Sequence, residues 1–116
     1  DDGELDVRLG NSYLNVGRYG ECVAAIDSGM NKGGVKSPDN AQISKGMCLY
    51  NQKKYNDAIK AFREAGRTNR SRRLADQWIR VINSDIERDE QIRLAERAAR
   101  KQQEDLAKKR ESSSRT

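Results

Sequence analysis

Histidine is absent, which removes every Ser/His/Asp triad, Cys/His pair, HExxH zinc motif and Cys/His zinc finger from this chain. The two cysteines, Cys22 and Cys48, are too few for a structural zinc site and too sparse in 116 residues for a disulfide framework. An even pair permits one bond, for which Cys22 and Cys48 would face each other across the interface between the second and third helices, but buried free thiols acting as small hydrophobes are the expected state. Aromatic residues make up only 5% of the chain, and the mean hydropathy is −1.03, so a thick core is excluded and a thin helical stack fits better than a sandwich or barrel. No apolar run approaches the ~18 residues of a membrane span, and no apolar segment follows a basic start as in a signal peptide. The chain opens at Asp1 without a methionine, so a processed or excised piece with repeats and targeting information upstream is expected.

What is present is charge. Residues 1–65 carry nine basic and nine acidic side chains, so the whole net excess of +5 lies beyond residue 65, and the two halves have different jobs. Within the neutral half, the pattern Leu9-Gly10-x-x-Tyr13, Gly17-x-Tyr19-x-x-Cys22-x-x-x-Ile26 is answered by Gly46-x-x-Leu49, Tyr55-x-x-Ala58-x-x-x-Phe62. The offset is 36 residues for every pair: Gly10 with Gly46, Tyr13 with Leu49, Tyr19 with Tyr55, Cys22 with Ala58, Ile26 with Phe62, Gly29 with Ala65. Small residues recur as small and large ones as large, as two antiparallel helices in close approach require.

This pattern resembles the tetratricopeptide repeat (TPR), a helix-turn-helix unit of about 34 residues, with two residues inserted near Gly33 and Gly34. The family's tryptophan position falls on Asp6 and Gln42, and the leucine kept at Leu9 becomes Lys45. The resemblance implies an all-α, right-handed stack of two helical hairpins. Residues 1–36 form the first repeat with its loop, 37–70 the second, 71–110 a long capping and projecting charged helix, and 111–116 a frayed tail.

Local signals place helices near residues 4–16, 19–29, 39–52 and 55–65. Ser37-Pro38-Asp39 reads as an N-cap, a first-turn proline and a carboxylate favoured by the helix dipole. Gly17, Gly29 and Gly66 read as helix ends able to take the left-handed conformation. A fifth helix starts at the cap candidates Asn69-Arg70-Ser71, and its stripe Leu74, Trp78, Val81, Ile82 and Ile86 is expected to cover the open end of repeat two. Beyond Ile86 the helix is charged, with acids four residues before bases at Asp89 and Arg93, Glu96 and Arg100, Glu104 and Lys108, and Asp105 and Lys109. Ile92, Ala95, Ala99 and Leu106 recur at near-heptad spacing, which predicts pairing with a partner helix or a homodimer through this segment.

Three constellations imitate chemistry. Gly29 to Ser37, with Gly33, Gly34 and Lys36, looks like a phosphate loop, but a helix precedes it where a strand is needed, so it reads as an inter-repeat connection. The carboxylate pairs Asp85 with Asp89 and Glu104 with Asp105 are expected on a charged, solvated helix, without the burial and substrate cavity that acid/base work requires. The basic residues Arg67, Arg70, Arg72, Arg73 and Arg80 invite phosphate contacts. Nucleic acid remains an unfavoured partner, because Tyr13, Tyr19, Tyr55, Phe62 and Trp78 all fall at packing positions and leave no platform for stacked bases. No enzyme activity, cofactor or metal is expected.

The TPR resemblance further implies a concave groove lined by the first helix of each repeat, which maps to Val7, Asn11, Leu14, Asn15, Ile43, Met47, Tyr50 and Asn51. Of the residues with which one subset of the family grips a C-terminal carboxylate, only Asn11 is matched; Val7, Leu74 and Trp78 stand where basic residues would be. The segment Leu74-Ala75-Asp76-Gln77-Trp78-Ile79-Arg80 is similar to the tail after the last repeat in bacterial periplasmic repeat proteins associated with TonB-type energy-transducing complexes. That likeness implies a periplasmic location and an envelope-complex partner. The functional expectation is a non-catalytic scaffold for a protein or peptide partner; the alternative is a basic helical adaptor for nucleic acid or another anionic surface.

Overall fold

The computed structural model describes residues 2–114. Five α-helices follow in order: α1 (Glu4–Asn15), α2 (Tyr19–Lys32), α3 (Pro38–Asn51), α4 (Tyr55–Ala65) and α5 (Asn69–Ser114); no strand occurs among the described residues. The chain divides into two compact units, one ending at Asn83 and the other beginning at Ser84.

In the first unit α1 packs on α2, α2 on α3, and α3 on α4. The 36-residue recurrence is written into the backbone. After α1, Arg18 N–H donates to the Tyr13 carbonyl (2.9 Å) and Gly17 N–H to that of Leu14 (3.2 Å); after α3, Lys54 N–H donates to Leu49 (2.9 Å) and Lys53 N–H to Tyr50 (2.9 Å). Each donor and acceptor moves by the same 36 positions, so the two turns are copies of one another. The glycines mapped as close-approach points also behave alike. A Cβ on Gly10 would lie 2.5 Å from Ile26 Cγ1, and one on Gly46 2.6 Å from Phe62 Cζ, so both helix pairs meet over a missing side chain. Ile26 and Phe62, the large residues opposite, are fully buried.

Several expectations are corrected. Gly29 does not end a helix: α2 continues to Lys32 and stops at Gly33 (φ 81°), while Gly29 is buried where its backbone meets that of Gly3. Gly66 keeps a right-handed φ of −68°, and the left-handed residues are Gly17, Gly33, Gly34 and Lys53. The Ser37 side chain makes no cap hydrogen bond. Helix α5 extends through 111–114, residues expected to fray; Arg115 and Thr116 of that tail lie outside the described residues. Most consequentially, Cys22 and Cys48 are not free thiols. They form a fully buried disulfide that ties α2 to α3, and with them the two hairpins.

The start of α5 covers the second hairpin with part of the expected stripe, Trp78 and Ile82, while Ala75 and Ile79 take the places expected of Leu74 and Val81. Ala75 and Ile82 are buried and Trp78 and Ile79 pack beside them, whereas Leu74 and Val81 are each 44% exposed. Ala75 is the reason: its methyl sits over Gly66, and this close approach turns the face of Ala75, Ile79 and Ile82 inward.

In the second unit, residues 84–114, Arg88 pairs with Asp85 (3.2 Å) and Asp89 (3.7 Å), and Arg93 pairs with Glu90 one turn before it. Ile92, Leu94 and Leu106 are about half exposed. No described helix is long and apolar enough to cross a membrane.

Candidate functional site

Asp39 fixes how α5 begins. It stands in the first turn of α3 and is buried, and a buried carboxylate needs partners. Arg70 supplies two, donating from Nε to Oδ2 (2.8 Å) and from Nη2 to Oδ1 (2.7 Å), and the Ser71 hydroxyl donates to Oδ2 at 2.6 Å. The Arg70 guanidinium, and then the Ser71 hydroxyl, hold the Asp39 carboxyl well below the usual carboxylate range. The first turns of α3 and α5 are thereby locked together, and Arg72 Nε adds a bond to the Gly66 carbonyl (3.1 Å).

One heptad further along α5, three rings meet. Trp78 stacks on Phe62 with centroids 5.3 Å apart and planes 4° from parallel, and Tyr50 stands edge-on to Trp78 at 5.4 Å. Tyr55 lies 5.9 Å from Tyr50 on its other side. Phe62 is wholly buried, so the outer part of this stack is the floor of a surface groove. Tyr50, Leu74, Gln77, Trp78 and Val81 line about 340 Å³ there. The polar groups among the lining side chains are the Gln77 amide, the Tyr50 hydroxyl and the Trp78 indole N–H. Because Asp39, Ala75 and Phe62 hold α5 in place, the groove is set by the packing beneath it rather than by surface residues alone.

The residues mapped from the sequence divide. Tyr50 lines this groove. The first unit holds two cores, a first around Val7, Cys22, Ile26 and Cys48 and a second around Ile43, Leu49, Phe62 and Ile82; Met47 is half-buried against the second, and Asn51, exposed, donates from its amide to the Met47 carbonyl (2.8 Å). Val7 and Ile43 are buried, and their side chains serve the two cores. Leu14 is half-buried on the first core, Asn15 is exposed, and the Asn11 Oδ1 is buried without a hydrogen-bond partner. Of the groove's other walls, Gln77 and Val81 were not mapped to it, and Leu74 and Trp78 were placed at it only as residues standing where a carboxylate grip would need basic ones. The signal was present as apolar residues at i, i+4 and i+7 in Leu74, Trp78 and Val81, but the same helix carries Ala75, Ile79 and Ile82 one position on, and periodicity alone does not rank two adjacent stripes.

Two other clefts are lined largely by polar side chains. Asn69, Arg72, Arg73, Asp76 and Arg80 line about 350 Å³ at the start of α5. A larger one, about 450 Å³, lies over α2, α3 and α4, where Lys45 pairs with Asp27 (2.6 Å) and Lys54, Lys60, Asp57 and Glu64 share the walls. The mixed signs of the second select no ligand charge. Among the described residues, no group of three or more cysteine or carboxylate side chains is placed to hold a metal ion.

No protein-family model, curated protein or solved structure matches this chain.

Proposed function

We propose that this chain is a non-catalytic protein-binding module: a right-handed, TPR-like stack of two hairpins capped by α5, which takes a protein or peptide partner in the groove between Tyr50 and α5. The observation that carries this reading is the groove itself. Leu74 and Val81 stand 44% exposed beside a rigid aromatic stack, an arrangement that costs solvation unless a partner covers it. The duplicated turns and the paired contacts of Gly10 and Gly46 support the TPR-like description. A bacterial periplasmic setting beside a TonB-type complex rests on the likeness of residues 74–80. The Cys22–Cys48 bond supports an oxidising compartment, because such bonds persist where thiols are not kept reduced.

The second reading, a basic adaptor for nucleic acid or another anionic surface, is favoured by one observation, the arginine-lined cleft at the start of α5. Affinity capture from native lysate separates the two. Leu74→Glu with Val81→Glu abolishes capture of a protein partner on the first reading, whereas charge reversal at Arg72, Arg73 and Arg80 leaves it intact. The reverse pattern, with steep loss of binding in added salt, establishes the second reading and overturns the first.

A further inference from the structure

The two hairpins meet along one seam, where α1 and α2 touch α3. Few side chains of either core cross it. To the first core α3 supplies Ala41 and Cys48, and to the second α2 supplies Val23 at the edge; the other members of each core come from its own side. Lys45 and Asp27 pair across the seam with both side chains partly in water, and such a pair contributes little. The Gln52 amide lies beside Gly20 of α2, and its Oε1 is buried without a hydrogen-bond partner, so closing the seam there costs a desolvated acceptor. The cleft over α2, α3 and α4, with Val23, Lys45 and Leu49 in its lining, opens the same seam to solvent from one side.

Packing inside each half is of another kind. Ile26 fills the space over Gly10 and Phe62 that over Gly46, while Asp39 holds Arg70 and Ser71 of α5 to α3. The connecting residues 33–37 belong to the first hairpin. Gly3 N–H donates to the Gly33 carbonyl (2.6 Å) and Lys36 N–H to the Glu4 carboxylate (2.8 Å), whereas the Ser37 side chain, where the chain enters α3, makes no cap hydrogen bond. A rotation at Ser37 leaves both of those hydrogen bonds in place.

We infer that the Cys22–Cys48 bond is a redox latch on this seam: intact, it holds the two hairpins as one body; reduced, it lets them part about Ser37 while the second core and its groove stay formed. Without the bond, Ala41, Val23 and one half-exposed ion pair are set against the orphaned Gln52 oxygen and the entropy of holding two bodies together. The latch is independent of whether the groove takes a partner.

Both cysteines are wholly buried, so a thiol reaches them only while the seam is apart, and the open state is also the one in which the bond forms. The reductant is a dithiol. One of its thiolates attacks one cysteine Sγ, giving a mixed disulfide and expelling the other cysteine as thiolate; its second thiol then displaces the remaining protein sulfur. Two electrons pass to the protein, the cysteines take up the two protons that the dithiol gives up, and the dithiol leaves as a disulfide.

Alkylation of the intact chain by iodoacetamide after reduction tests the latch, with Trp78 emission reporting the second core. Cys22 and Cys48 are expected to react no more than about 100-fold slower than in the urea-unfolded chain, at urea concentrations where Trp78 emission is still native; release by global unfolding alone slows them by about 1000-fold or more. In Cys22→Ala and in Cys48→Ala, which cannot form the bond, the remaining thiol reacts at that same rate with or without prior reduction. X-ray scattering is expected to give a larger radius of gyration after reduction, a value that the double Cys22→Ala, Cys48→Ala variant shows from the outset. Thiols that react only in step with the loss of Trp78 emission overturn the inference, since the seam then opens only when everything does. An unchanged radius overturns it too, and so does a Trp78 emission that is lost on reduction alone, because the bond would then support the second core as well.

Discussion

Lys53 adopts the left-handed backbone (φ 61°) that Gly17 adopts 36 residues earlier (φ 79°). The turn that closes the first hairpin is thus rebuilt in the second with a side chain in a conformation that suits glycine. The geometry was kept although the residue changed, so the turn is dictated by the packing of the helices on either side. Lys53→Gly is expected to raise the stability of the domain by about 0.5–1 kcal/mol, the relieved strain slightly exceeding the added chain entropy. Thermal melting checks this; a loss of stability would mean that the lysine side chain contributes contacts that outweigh its backbone strain.

Gly46→Leu is expected to cost at least about 1–3 kcal/mol, because the new side chain would enter the space of the Phe62 ring and push α3 from α4. Phe62 also supports Trp78, so the same change is expected to loosen the groove and alter tryptophan fluorescence. Unchanged melting would contradict the packing described.

Asp39 gives stability a pH dependence of defined sign. Its carboxyl in the folded chain titrates below the value near 3.9 of the unfolded one, so the Arg70 and Ser71 contacts contribute fully above about pH 5 and are lost as pH falls through the acid range. Urea unfolding from pH 7 to pH 3 is expected to show a falling midpoint. Asp39→Asn should be less stable at pH 7 and show a shallower fall; equal slopes for the two would place the acid sensitivity elsewhere.

Reduction of the Cys22–Cys48 bond, or its replacement by two alanines, is expected to lower stability by about 3.5 kcal/mol, the loop-closure value for a separation of 26 residues. Melting with and without reductant measures this directly, and coincident curves would contradict it.

The helices and the 36-residue recurrence were legible in the sequence because size patterning at Gly10, Gly46, Ile26 and Phe62 survives where residue identity does not. Helix ends were less so. Gly66 does end α4, though without the left-handed turn expected of it, whereas Gly29 looks like a terminator and is not one: a glycine serves equally where two backbones touch, and only its partner, Gly3, distinguishes the roles. The facing of Cys22 and Cys48 across the second and third helices was legible as a possibility, but their bond was not, because it depends on how closely one hairpin seats on the next. The site was half legible. Tyr50 was identified from its place on the first helix of its repeat, whereas Val7 and Ile43, on the same face, are taken up in the cores. Leu74 and Val81 were assigned to burial because choosing between adjacent stripes on α5 requires the Ala75 contact with Gly66.

The central claim, a groove that binds a protein partner, has a reporter built into it, since Trp78 is the one tryptophan of the chain and part of the groove wall. The most direct measurement is its emission during titration with the captured partner, followed in parallel by a label on that partner. The account predicts a saturable blue shift that tracks binding and disappears in the Leu74→Glu, Val81→Glu variant. A partner that binds with the same affinity to both proteins, leaving the Trp78 emission unchanged, would contradict it.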